Sequence, residues 1–214
     1  MEQTIKVKVL TEWKDLTLKK YLDMIKDIEA YKDDEEAMTA LMLHHLCGID
    51  YTDIQNLSAK SYNELKDKMS KFKQPEEMEL QRFITIDGVE YGFEPNLSKM
   101  SYGAYADISK YDTLTIDKNW AKIMSILYRP VSKKDKHGLY LIKPYDGEIN
   151  EEIWLDVSMD FHFGCLFFFI NLQLDLMKDT LKSLTEKELI PNMHTILVKS
   201  GEAMQQYMSS QKAT

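Results

Sequence analysis

The sequence predicts an α+β protein, mainly α-helical, with a β-hairpin around residues 82–93 and a long apolar helix near 158–183. Three observations carry that prediction. Apolar residues recur at spacings of three and four along much of the chain, the period of a helix with one buried face. RFITIDGVEYGF, residues 82–93, sets Asp87-Gly88 between two β-rich runs, the pattern of a two-residue hairpin. FHFGCLFFFINL, residues 161–172, carries five phenylalanines and is the most apolar run in the chain.

Thr4–Leu10 alternates Ile5, Val7 and Val9 against Lys6 and Lys8, predicting a strand with one wet face. After Trp13, a helix places Leu18, Tyr21, Leu22, Ile25 and Ile28 on one side. Asp33 and Asp34 offer caps for a second helix carrying Met38, Leu41 and Met42, and Gly48 suits its end. A short helix over Tyr51–Leu57 leads to Ser61-Tyr-Asn-Glu64, a capping box before Leu65, Met69 and Phe72. The polar segment Lys71–Glu79, containing Pro75, joins this helical unit to the hairpin.

Closing the hairpin at Asp87-Gly88 pairs Ile86 with Val89 and Ile84 with Tyr91. Ser101 starts a stripe of Tyr105, Ile108 and Tyr111. Asp117 caps a helix that turns Trp120, Ile123, Met124 and Leu127 inward, and Pro130 stops it just after Arg129. SKKDKHG, residues 132–138, reads as a solvated charged loop before a short strand in YLIKPY. The organisation expected is a strand plus helical unit over 1–74, hairpin plus helices over 80–200, and a flexible tail over 201–214. Packing of the first two as one compact domain is left open.

In the late helix, Phe163, Leu166, Phe167, Ile170, Leu174 and Met177 form one stripe, with Cys165, Phe169, Leu172 and Leu176 beside it. Gly164, Phe168, Asn171, Asp175 and Lys178 lie opposite. The first half is therefore apolar nearly all round, as in a helix buried centrally or covered by another subunit. Phe168, opposite the main stripe, asks for an extra partner. A membrane span needs about twenty apolar residues, and His162, Asn171, Gln173 and Asp175 interrupt this run. No membrane association is expected.

A net charge of −8 and only two arginines, Arg82 and Arg129, argue against a nucleic-acid surface, which needs clustered cations. The start, MEQTIKVKVL, lacks a secretory pattern, so a cytoplasmic protein is expected. Cys47 and Cys165 read as buried free thiols in a reducing compartment. His44 with Cys47 and His162 with Cys165 form two His-x-x-Cys pairs, formally a zinc set. Both pairs sit in apolar helices where a core cysteine is expected anyway, so no metal is assigned. Nucleophile elbows and glycine-rich phosphate loops are absent, and Asp156 with Asp160 reads as a helix-start pair favoured by the dipole. No catalytic residue, cofactor or enzymatic activity is expected. The candidate partner-binding residues are Phe168, Phe169, Tyr102, Tyr105 and Arg129. The tyrosines, with Tyr111, offer a contact face or packing against the hairpin, and Arg129 a helix C-cap or an interface salt bridge.

The succession TEWKDLTLKKYL, ITIDGVEYGFEP, SYGAYADISKY, WAKIMSILYRPV and FGCLFFFINL resembles small proteins encoded among the virion-morphogenesis genes of tailed bacteriophages. The same motifs occur there in the same order, over roughly residues 8–175 of this chain. The resemblance implies a tail assembly chaperone or a minor structural component of the virion, without cofactor or catalytic residues. Its expected partners are other phage assembly or tail proteins, chiefly apolar helices of a tape-measure-like protein, with self-association a further option. A phage-encoded inhibitor of a host protein is the alternative.

Overall fold

The computed structural model describes residues 7, 9–70, 75 and 78–183. Among them are eight α-helices and a four-stranded antiparallel sheet, so the protein is α+β. The chain divides into two units, Met1–Phe169 and Ile170–Thr214.

The helical run opens as the caps dictate. Thr17 accepts the Lys20 amide at the start of α1 (Leu18–Ala30), and Asp34 accepts the Ala37 amide at the start of α2 (Glu35–Cys47). Gly48 closes α2 with a φ of 65°, a left-handed conformation that favours glycine. After α3 (Tyr51–Gln55), α4 spans Ala59–Met69. Here the capping box is corrected: Ser58 is the cap, accepting the Ser61 amide, and Ser61 lies inside the helix. Leu65 and Met69 are the buried residues of this helix. Phe72, like most of the predicted strand Thr4–Leu10, lies outside the described residues; Val7, Val9 and Leu10 are not strand.

The hairpin forms in the predicted register. β1 (Phe83–Ile86) and β2 (Val89–Phe93) pair Ile86 with Val89 and Ile84 with Tyr91. Asp87 (φ 50°) and Gly88 (φ 78°) both turn left-handed, as a type I′ turn requires. Next come α5 (Tyr102–Ile108), capped by Ser101, and α6 (Trp120–Leu127). The expected Asp117 cap is shifted: the helix begins beyond Asn119, whose amide Asp117 accepts at 2.7 Å.

Two expectations about the segment after α6 are overturned. Arg129 and Pro130 do not end a helix; α6 passes directly at Tyr128 into β3 (Tyr128–Lys134). Ser132, Lys133 and Lys134 belong to that strand rather than to a loop, which shrinks to a turn before β4 (Tyr140–Ile142). The reason is non-local. Tyr128, Arg129 and Pro130 find ladder partners in Phe93, Gly92 and Tyr91, giving the strand order β1-β2-β3-β4.

Strand alternation then sorts the sheet's side chains onto two faces. On one, Tyr91, Phe93 and Tyr128 meet aromatic rings of α7 (Glu152–Leu155) and α8 (Met159–Ser183): Tyr128 lies 5.4 Å from Trp154 and 5.1 Å from Phe161, centroid to centroid. On the other, Phe83 and Tyr140 pack 4.6 Å apart over Gly92, where a Cβ would come within 3.0 Å of the Tyr140 ring. The N-terminal helices join this assembly through backbone bonds. Leu18 donates to Val157 (3.0 Å), and Met159 donates to Leu16 (2.8 Å). Trp13, Tyr21 and Phe163 close an edge-to-face cluster over that seam.

The expectation of a long apolar helix is not met. Although α8 runs Met159–Ser183, only Phe161–Leu166 form a continuously buried run. Beyond Phe169 the helix alternates half-buried Leu172 and Leu174 with exposed Asn171, Gln173, Asp175 and Lys178. No helix among the described residues is long and apolar enough to cross a membrane. Asp156 and Asp160 do not share a helix start, for Asp156 ends α7 and Asp160 lies in the first turn of α8.

Candidate functional site

Helix α5 presents the most exposed aromatic pair of the described chain. Its Ala104 is fully buried while Tyr102 is 84% and Tyr105 61% exposed. With spacing of three, both rings stand on one outer side of a seven-residue helix. Of the predicted stripe of Tyr105, Ile108 and Tyr111, Tyr105 faces out, Ile108 and Tyr111 are half-buried, and α5 ends at Ile108.

What anchors α5 is a polar chain that sequence alone does not reveal. Arg129, carried by β3, forms a buried ion pair with Glu94. Its guanidinium also stands 6.0 Å over the Tyr145 ring. The Tyr145 hydroxyl donates to Asp107 Oδ2 at 2.6 Å, and Lys110 donates to Asp107 Oδ1 at 2.6 Å. Those two hydrogen bonds hold the Asp107 carboxyl below its usual range. Burial, reinforced by Asp107, pushes the Tyr145 hydroxyl well up, so it stays a donor. Arg129 is therefore an interior ion-pair residue rather than a helix cap. Its Nε and Nη1 are buried without a hydrogen-bond partner among the described residues. Tyr145 and Glu94 had no motif to mark them; only the fold brings them together.

Phe168 and Phe169 lie elsewhere. Phe168 is half-buried, its ring 5.3 Å from Phe93 on β2 and 5.4 Å from Phe169. The partner that Phe168 calls for is therefore supplied, at least on one side, by its own chain. Tyr102 and Tyr105 stand on α5 and Arg129 on β3, linked to that helix only through Tyr145, whereas Phe168 and Phe169 belong to the sheet–α8 contact.

The histidine–cysteine pairs each have local uses. His44 Nδ1 lies 2.8 Å from the Ile49 carbonyl, and its ring stacks on Tyr51 at 4.5 Å. His162 is enclosed between two tryptophans, Trp120 and Trp154. Cys47 and Cys165 are free and buried, and burial raises both thiols above their ordinary range, the reverse of an activated nucleophile. Among the described residues, no group of three or more His, Cys, Asp or Glu side chains is placed to hold a metal ion.

No family model, curated protein or solved structure matches the chain.

Proposed function

We propose that this protein is a non-enzymatic bacteriophage assembly factor, acting in the host cytoplasm by protein–protein contact. The favoured role is a tail assembly chaperone that shields apolar helical segments of a tape-measure-like protein. The observation that carries the contact reading is the outward Tyr102–Tyr105 pair on an anchored helix. Tyrosine offers amphipathic contact area at low entropic cost, and holding α5 through Tyr145 reduces what must be ordered on binding. The phage setting rests on the ordered resemblance of five segments along the sequence.

Co-expression with the tape-measure protein of the same phage tests the reading. A soluble complex by size-exclusion chromatography with light scattering is expected, and it should weaken when Tyr102 and Tyr105 are both changed to serine. Failure to keep the tape-measure protein in solution would sink the chaperone role. The chaperone should also be missing from purified virions; its presence there at fixed stoichiometry would favour the minor structural component.

A further inference from the structure

His162 is wholly buried on α8 and touches two other helices through its ring nitrogens. From α6, the Trp120 indole N–H donates to Nδ1 at 3.2 Å. Toward α7, Nε2 lies 3.2 Å from the Trp154 carbonyl. An indole N–H can only donate and a carbonyl can only accept. One form of the ring satisfies both: neutral, with its proton on Nε2 and its lone pair on Nδ1. A second proton would have to sit on Nδ1, aimed at the N–H of Trp120. The ring has no exposed surface, so while the helices stay packed nothing relieves that clash of donors.

The surroundings reinforce the neutral form. Burial drives the ring's pKa down to about 4, against a partial upward pull from the Trp154 and Val157 backbone and from Asp160. Asp160, on α8 itself, is the charged group acting on the ring among the described residues; α6 and α7 present it with an indole and a carbonyl. The titratable Cys165, one turn further along α8, stays a neutral thiol through burial.

We propose that His162 is an acid-sensitive latch, holding α6 and α7 to α8 while neutral and releasing Trp120 when a proton from solvent occupies Nδ1. The device is independent of what the protein binds. It couples proton uptake at one atom to the loss of one specified hydrogen bond, rather than to a general loosening of the surface.

Nitrogen-15 NMR of the full chain between pH 7.5 and 3.5 tests this. At neutral pH the His162 ring should be the Nε2–H tautomer. The Trp120 indole N–H, assigned with Trp120→Phe, should be protected from exchange. Below pH 5, the His162 ring should protonate and the Trp120 signal should lose protection at the same midpoint. In His162→Gln, which offers a donor and an acceptor but does not titrate, that loss should move at least about one pH unit lower. An Nδ1–H tautomer at neutral pH, titration near 6.5 with Trp120 unmoved, or an unchanged midpoint in His162→Gln would each overturn the proposal. If the glutamine variant does not fold, the wild-type tautomer and titration still decide.

Discussion

Helices α5 and α6 follow one another along the chain, are seven and eight residues long, and each begins with an aromatic residue, yet they meet opposite fates. Trp120 at the head of α6 has no exposed surface, and only Lys122 of that helix escapes burial. Tyr102 at the head of α5 is 84% exposed, and only Ala104 of that helix is buried. The difference lies in composition as much as position. WAKIMSIL has one charge and six apolar residues, enough to be wrapped on all sides. YGAYADI has two tyrosines whose hydroxyls prefer water, a glycine and an aspartate, so a single small alanine makes the inward contact. One helix is held by packing, the other by a polar pin from Tyr145 to Asp107.

The largest expected effect falls on the packed helix. Trp120→Ala removes a fully buried ring and strands the Nδ1 acceptor of His162, and should cost about 4 kcal/mol in urea unfolding. A loss below about 1 kcal/mol would mean that α6 is not the centre of the core. The pinned helix is approached through Arg129→Met, which leaves Glu94 buried without its cation and should cost about 3 kcal/mol. Hydrogen exchange should then rise over Tyr102–Ile108 before it rises in α6; uniform exchange across both would remove the distinction between pin and packing.

Acid should act on the α6 side. A histidine held at about 4 in the fold and near 6.5 when unfolded binds fewer protons folded than unfolded between those values. Its contribution is present above pH 6.5 and is lost as pH falls toward 4, by up to about 3 kcal/mol, on the order of the shift itself. Urea midpoints that stay flat across that window would exclude a neutral His162. The smallest effect is expected at the exposed pair, where Tyr102→Ser with Tyr105→Ser should change stability by less than about 0.5 kcal/mol. Any larger loss in thermal melts would show that these rings support the fold rather than wait for a partner.

Much of the local structure was legible because its causes are local. Asp34 and Gly48 bound α2, Ser101 caps α5, and Asp87-Gly88 sets the hairpin register, each through geometry confined to a few residues. The inward side of α6 was legible too, since all four residues read as core, Trp120, Ile123, Met124 and Leu127, are wholly buried. The misreadings share a different cause. Ser61 was read as the cap of α4 where Ser58 holds that place, and Leu-Tyr-Arg-Pro reads as a helix end until β2 is brought alongside. Gly164 carried no signal in the pattern of apolar residues. In the fold an added Cβ there would stand 2.5 Å from the Glu79 carbonyl oxygen, so the glycine lets the incoming chain lie directly on α8.

Turn chemistry and helical periodicity act over short distances, and they were enough to set the α+β class, the hairpin with its register and the helix carrying Trp120. Folding had to bring the elements together before Arg129 could pair with Glu94, Tyr145 fasten α5, His162 sit between two tryptophans and Phe168 meet Phe93. Apart from His162 with Trp154, those pairings join residues far apart in sequence. They exist only where ladder formation between β2 and β3 and the burial of Trp154 and Phe161 bring the elements together. FHFGCLFFFINL shows both sides: the burial its composition predicted holds continuously only over Phe161–Leu166, and the sheet determined which ring faces which partner.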